Sequence, residues 1–339
     1  MSILPENRVF VVCEAGVTNY GDPKLAARQV DVAADSGCDA VKFQAWRTDS
    51  LVSRPVAERL SDELGYDWYE RMSSRELPFA ELARLQQQAK DRGLVFFATP
   101  HDDASLEFLA DELDMPCLKV GSGESNNWQF LKRVAAKRKP VLIAFGMQSD
   151  DDARRAVSLL LEAGSPEVVA FHTVSLYPTP FELARLDRIQ RLRDLLDVPI
   201  GISDHTVGWH IPLAAVALGA RAVEKHLTFD KADPRSLDNP GALEPQEFPE
   251  MVRQIRELEQ ALLAPAGDDS RLDDARDWAL QAVVAARALG AGHVLTEDDV
   301  AFKRPGRGGV PAADVDLLLG RPLLRSIDVD EQIRRGDVD

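Results

Sequence analysis

Residues 199–226 read PIGISDHTVGWHIPLAAVALGARAVEKH, and the pattern of this stretch decides the fold. A short apolar run at 199–202 is followed by helical spacing at 211–218 and a second apolar run at 222–225. Strand, helix and strand in that order make a βαβ unit, whose two strands lie parallel. The alternation continues toward the N-terminus. Strand-length runs fall at 9–13, 40–43, 94–98, 117–120, 140–144 and 168–172, with helical spacing at 25–34, 82–90 and 150–161. With a closing helix at about 247–262, these units match an eight-stranded (β/α)8 TIM barrel and its span of roughly 250 residues. A doubly wound open sheet is the rival. It carries fewer strands and often a glycine-rich phosphate loop after the first, which residues 14–21 do not supply.

The texture changes after residue 263. A stretch at 264–275 with Pro265, Gly267 and several aspartates reads as a linker. Residues 276–339 carry short β-like runs at 281–286, 300–303 and 323–327, separated by Gly290, Gly292, Pro305 and Gly306, and read as a small, mainly β domain. The expected organisation is thus a barrel at 1–263, a linker and a C-terminal domain. The insertion at 49–78 is too long for an ordinary βα loop. On the catalytic face of a barrel, such a loop is expected to carry substrate contacts.

The chain has 339 residues, with 40 Lys and Arg against 56 Asp and Glu, a formal charge of −16. That surplus argues against a nucleic-acid surface, which needs a basic stripe. It leaves room for an anionic small substrate, because a pocket can be locally basic on an acidic body. Cys13, Cys38 and Cys117 are odd in number, widely spaced and set in apolar runs, as expected of reduced core thiols. Residues 1–8 show no signal-peptide pattern, and no apolar run is long enough to span a bilayer. The expectation is a soluble cytoplasmic protein with no membrane partner.

In a barrel the chemistry sits at the C-terminal ends of the strands. The residues there are Glu14, Lys42, Gln44, Thr99, His101, Lys119, Ser122, Glu124, Met147, His172, Ser175, Tyr177, Ser203, Asp204, His205, Glu224 and His226, and all but Met147 are polar or ionisable. Helix capping explains one or two such residues, but not a full ring. His205 and His226 end the last two strands, which are neighbours in a closed barrel. They read either as a divalent metal pair, completed by Glu14 or Asp204 and water, or as a hydrogen-bonded pair capping the barrel. Period-two alternation puts Glu224 and His226 on one face and Lys225 on the other. It also turns Lys42 and Gln44 to one side, where a buried ammonium needs an anion or a carboxylate. Lys119 is followed by Gly121-Ser122-Gly123-Glu124, a context that suits the close approach of a phosphate. The bland alternative is two structural ion pairs, Lys42 with Glu14 and Lys119 with Glu124. In the C-terminal piece, Lys303-Arg304-Pro305-Gly306-Arg307 reads from spacing alone as a solvated basic loop.

Together these segments resemble the sialic acid (N-acetylneuraminate) synthase family along nearly the whole chain. The resemblance is carried by Cys13-Glu14-Ala15-Gly16, Asp39-Ala40-Val41-Lys42-Phe43-Gln44, Ala98-Thr99-Pro100 and Leu118-Lys119-Val120-Gly121-Ser122-Gly123-Glu124. Further segments are Gly146-Met147, Tyr177-Pro178-Thr179-Pro180, Ile202-Ser203-Asp204-His205-Thr206 and Glu224-Lys225-His226. Lys303-Arg304-Pro305-Gly306 resembles the small antifreeze-like (SAF) domain that follows these barrels. The resemblance implies a condensation of phosphoenolpyruvate with a sugar aldehyde, usually N-acetylmannosamine, releasing phosphate. It implies a divalent metal at His205 and His226, manganese first, with magnesium or cobalt as substitutes. It implies phosphoenolpyruvate on Lys42, Thr99, Lys119, Ser122 and Ser203, and the acceptor sugar against Gln44, Glu124, Tyr177 and Arg304. Glu14, Lys42, Lys119 and Asp238 would form the catalytic set. Family members are domain-swapped homodimers, so Arg304 would act on the partner's site.

The chain departs from the family in several places. Thr18-Asn19 stands where an Asn-His pair is usual, and Ala144-Phe145 replaces a serine of the phosphate site. Ser236-Leu237-Asp238-Asn239 keeps a carboxylate but loses a histidine, and His101 and Leu176 are atypical. These changes cluster on the acceptor side and one edge of the phosphate site, so the expectation is retained donor chemistry with a changed acceptor. The alternatives are a non-catalytic relative that keeps the fold, and a metal-dependent aldolase working on a 2-keto acid.

Overall fold

The computed structural model describes residues 2–263 and 270–339. The chain divides into two compact units, Met1–Ala264 and Pro265–Asp339. In the first, eight strands form one parallel sheet. They are β1 (Phe10–Glu14), β2 (Ala40–Ala45), β3 (Val95–Pro100), β4 (Leu118–Val120), β5 (Val141–Phe145), β6 (Val168–Thr173), β7 (Ile200–Asp204) and β8 (Ala222–His226). Their order is 3-2-1-8-7-6-5-4. The two end strands, β3 and β4, lie side by side without a hydrogen-bonded ladder, so the sheet closes into a barrel. β4 is only three residues long, and a π-helical turn, Phe108–Glu112, precedes it. The strands are buried nearly throughout, as parallel strands covered on both faces must be.

The sequence-derived helices appear with small shifts, as Pro23–Asp35, Phe79–Asp91, Asp150–Glu162, His210–Ala217 and Phe248–Leu263. Their starts have local causes. Asp22 accepts a hydrogen bond from the Lys24 amide at 2.8 Å, and Ser149 accepts one from Asp152 at 3.1 Å, each satisfying a donor the helix leaves free. No helix among the described residues is long and apolar enough to cross a membrane.

Three expectations need correction. The insertion at 49–78 is no open loop: it forms helices Thr48–Leu51, Arg54–Leu64 and Trp68–Ser73, the second ended by Gly65 at φ +74°. Of the linker stretch, residues 264–269 lie outside the described residues, while Ser270–Ala279 is helical. In the second unit β9 (Ala282–Ala285) pairs antiparallel with β10 (Val300–Lys303) over a core that includes Val283, Leu295, Leu318 and Ile333. The third β-like run is not a strand. Leu323 and Ile327 make isolated bridges, and Arg325 between them is exposed and held by Asp337 and Glu331 at 2.6 and 2.7 Å. That burial pattern breaks the period-two alternation a strand requires.

Candidate active site

The C-terminal strand ends enclose a cavity of about 270 Å³. Parallel pairing brings its parts together. Glu14 on β1 lies opposite Lys42 on β2 and His226 on β8, and Ser203 on β7 lies opposite Glu224 on β8. Glu14, Lys42, Gln44, Thr99, Lys119, Ser122, Glu124, Tyr177, Ser203, His205 and His226 all line this one cavity. Asp238 stands behind His226, with Oδ2 3.5 Å from Nδ1. Arg304 belongs to the second unit, where it is exposed.

The floor is a buried four-charge cluster. Lys42 Nζ lies 2.9 Å from Glu14 and 3.6 Å from Glu224, and donates to Thr99 at 3.3 Å. Lys119 Nζ lies 3.3 Å from Glu224, which also accepts from Ser203 at 2.8 Å. Gln44 donates to Glu14 at 2.9 Å. Burial alone would push the Glu224 carboxyl up, but Lys119 and Lys42 outweigh it and hold it well below its ordinary range. The two lysines diverge. Burial would lower Lys42, yet Glu14 and Glu224 raise it; burial does lower Lys119, where Glu224 offsets only part and Lys42 adds to the shift.

The bland ion-pair reading is therefore half correct. Lys42 does pair with Glu14, but Lys119 pairs with Glu224, while Glu124 meets Nδ1 of His101 at 2.9 Å. Glu224 is the residue sequence reasoning undervalued. The signal for it in the sequence is the face it shares with His226 at the end of β8.

Near the rim, Ser122 Oγ accepts the Gly146 amide at 2.8 Å. Ala144, in place of the usual serine, lines the cavity, and so does Ser175. A Cβ at Gly146 would collide with Ser175 Oγ and crowd Ser122 Oγ, so this glycine leaves room for both hydroxyls at the rim.

In the same cavity the rings of His205 and His226 stand 5.3 Å apart. Tyr177 packs on His205 at 4.1 Å and meets His226 edge-on at 6.0 Å. His205 Nδ1 lies 2.7 Å from the Val174 carbonyl; donation there leaves the lone pair on Nε2. Burial, then His226, pushes the His205 pKa down to about 3, so the ring is neutral at working pH. Nδ1 of His226 is buried without a hydrogen-bond partner.

Among the described residues no three His, Cys, Asp or Glu side chains gather closely enough to hold a metal ion. Asp204 is unsuited as a third ligand, because it turns away from the cavity to Lys225 at 2.6 Å and Thr206 at 3.0 Å. The donor set thus fits a cation that the ring nitrogens of His205 and His226 would share, with no third protein side chain among the described residues. Charge points the same way. Lys42 and Lys119 are cancelled by Glu14 and Glu224, so an anionic ligand on this floor calls for added positive charge nearby.

The replaced histidine has become Asn239, which is buried and structural. It donates to Tyr20 Oη at 2.8 Å and to the Asp233 carbonyl at 2.7 Å, and accepts from Thr228 at 2.7 Å. The insertion helices contribute nothing to this cavity.

Comparison with known proteins agrees with this architecture. The NeuB family matches residues 29–265, and the SAF domain matches residues 281–339. The chain is 34% identical to N-acetylneuraminate-9-phosphate synthase of Mus musculus, over 97% of this chain and 92% of that protein. It is 31% identical to N,N'-diacetyllegionaminic acid synthase of Campylobacter jejuni, over 96% and 99%. A solved structure of N-acetylneuraminic acid synthetase from Leptospira borgpetersenii, in complex with citrate, superposes with a TM-score of 0.70 at 31% identity, covering 80% of this chain and 93% of that one. The barrel, its ring of strand-end residues and the appended domain thus mark this chain as a member of the NeuB family, an enzyme of the sialic acid synthase type.

Proposed function

We propose that the cavity condenses phosphoenolpyruvate with the open-chain aldehyde of a sugar, giving a 2-keto-3-deoxy sugar acid of the nonulosonic type and releasing phosphate. The observation that carries this reading is the joining, in one cavity, of two buried lysines and their neighbouring hydroxyls with the paired imidazoles of His205 and His226. Lys42 and Lys119 hold the carboxylate and phosphate of the donor, with Thr99, Ser122, Ser203 and Ser175 supplying hydroxyls. His205 and His226 would hold the divalent cation, manganese before magnesium or cobalt; when bound, it supplies Lewis acidity at the aldehyde.

Carbon 3 of the donor bonds to the aldehyde carbon, and water adds at carbon 2 as phosphate leaves. Glu14, held by Lys42 and Gln44, is the carboxylate placed to take or return a proton. Gln44, Glu124 and Tyr177 face the acceptor, and Asp238 orients His226. Fixed lysines and hydroxyls stabilise the departing phosphate without reorganisation. The same reading carries a homodimer and an acceptor contact for Arg304, tested by light scattering and by the KM of Arg304→Ala. Identity does not choose the acceptor, since relatives named for different sugar acids lie at 34% and 31%.

The test is phosphate release from phosphoenolpyruvate with Mn²⁺ across a panel of aldoses that includes N-acetylmannosamine. Aldose-dependent release that His226→Ala abolishes is the expected result. Release that needs no aldose, or that survives the substitution, overturns the proposal.

A further inference from the structure

A second cavity of about 620 Å³ lies in the barrel unit, between the insertion helix Trp68–Ser73 and the segment after β8. Its lining includes Arg71, Arg75, Arg235, Tyr20 and Tyr66. Arg71 stacks over Tyr66 at 4.5 Å, and Arg235 over Tyr20 at 3.8 Å. Arg235 is neutralised by Asp233 at 2.6 Å. Arg71 and Arg75 are not neutralised. Among the described residues no carboxylate stands within ion-pair distance of either, and both guanidiniums donate to one neutral acceptor, the backbone carbonyl of Arg235. The lining also contains Asp67, which is engaged at the first turn of its helix, accepting from the Glu70 amide at 2.9 Å, and Glu70, which is exposed. Burial first, and Arg71 second, disfavour the charge on Arg75, and the more distant Asp238 offsets only part of this. Two adjacent forks with no carboxylate in ion-pair contact, on a chain of net charge −16, are matched in shape and sign to a phosphate or carboxylate.

One short loop joins this cavity to the histidine pair. A Cβ at Gly16 would come within 3.0 Å of His226 Nδ1 and 3.2 Å of Asp238. Four residues later Tyr20 lines the arginine cavity, and at Gly21 (φ +75°) a Cβ would collide with the Ser74 carbonyl. The loop is folded by turns linking Thr18 to Ala15 and Tyr20 to Val17, so it spans less than the roughly 14 Å of four extended residues.

We infer that Arg71 and Arg75 form a subsite for an anionic group, a phosphate ester or a carboxylate, carried by the acceptor aldehyde at the end remote from its reacting carbon. This inference rests on the condensation proposed above and names the class of acceptor. It gives the insertion helices a role at the acceptor end, outside the cavity where the chemistry takes place.

Calorimetry without phosphoenolpyruvate tests the subsite directly. The probes are N-acetylmannosamine, its 6-phosphate, the corresponding uronate and inorganic phosphate, on the full chain, Arg71→Gln, Arg75→Gln and the exposed control Arg253→Gln. At least one anionic sugar is expected to bind more tightly than the neutral one, and the tighter of the two identifies the group. Each cavity substitution should cut that preference by roughly tenfold to a hundredfold, as loss of a charge-assisted hydrogen bond does. Because the readout is a ratio of two ligands on one variant, a general loss of folded protein does not imitate it. Equal binding of neutral and anionic sugars, a ratio unchanged from the control, or inorganic phosphate binding as tightly as the sugar phosphate would each overturn the inference.

A turnover assay with Mn²⁺ separates the two proposals. Arg75→Gln should raise KM for the anionic acceptor while leaving kcat nearly intact. Anionic sugars that bind through the arginines while no aldose releases phosphate would sink the condensation and leave the subsite. Turnover of neutral aldoses with no anionic preference would sink the subsite and leave the condensation.

Discussion

Replacing Glu224 by Gln removes one charge from the cavity floor with almost no change of volume, and the consequences can be worked through. Glu224 Oε1 lies 3.3 Å from Lys119 Nζ and 3.6 Å from Lys42 Nζ. At an effective dielectric of about 20 each attraction is roughly 5 kcal/mol before the cost of burying the charges is subtracted. Lys42 keeps Glu14 at 2.9 Å, so Lys119 is the group left buried and unpaired. Breaking such a pair costs about 3–5 kcal/mol.

Lys119 has one escape, which is to shed its proton. Neutralising an ammonium whose ordinary pKa is about 10.4 costs about 1.4 kcal/mol per unit, so the loss at pH 7 is capped near 5 kcal/mol. The sign follows from proton counting. In the variant the folded state holds the Lys119 proton less tightly than the unfolded chain does, so stability rises with pH, and the deficit narrows between pH 7 and 9. Where Lys119 keeps its proton, at the acid end of the range, the donor anion should behave oppositely, because Glu224 repels it: at pH 6 phosphoenolpyruvate binds Glu224→Gln at least several-fold more tightly. Urea denaturation at pH 6 to 9 and titration calorimetry measure both. A deficit under about 1 kcal/mol at pH 7, a deficit that does not shrink with pH, or weaker donor binding at pH 6 would refute the four-charge account.

Three further outcomes are expected. Gly16→Ala places a methyl 3.0 Å from His226 Nδ1 on backbone at φ +51°; a stability loss of about 1–2 kcal/mol and weaker Mn²⁺ binding by the isolated protein should follow, and an unchanged metal titration would contradict the packing. Cys13 and Cys117 are fully buried, and burial pushes both thiols up; a chromogenic disulfide at pH 8 should leave both untouched in the native protein and titrate all three cysteines in denaturant, whereas rapid native reaction at either counts against that burial. His172 is buried with Nε2 2.7 Å from the Ala184 carbonyl, and burial lowers its pKa; the unfolded state then takes the proton first, so its stabilising contribution is complete above about pH 6.5 and is lost on acidification, and His172→Gln should flatten the stability profile between pH 5 and 7.

Much of the barrel was legible because its signals are local. Apolar runs of strand length separated by helical spacing are short-range patterns, and all eight runs overlap strands. Alternation within a strand correctly separated Glu224 and His226, which face the cavity, from Lys225, which lies behind the sheet on Asp204. The insertion at 49–78 was harder. Its helices are short and largely exposed, and the one buried residue of Arg54–Leu64 is Ala57, so no apolar stripe announces them. The run at 323–327 failed for a different reason: its apolar residues suggested a strand, but the ion pairs of Arg325 decide its exposure.

By itself the sequence determined the strand count and order, the parallel arrangement, and the residue types that meet at the strand ends. Each depends on periodicity and on the rule that parallel strands all end on one face. Only the tertiary structure decided which charges neutralise one another. Lys119 pairs with Glu224, 105 positions away, instead of with Glu124 five residues on, and Asp204 is taken by Lys225 instead of joining the histidines. It alone brought Arg71 and Arg75 from the insertion onto the carbonyl of Arg235. Such pairings follow from barrel closure and from the docking of the insertion against the β1 loop, and neither is written in the spacing of residues along the chain.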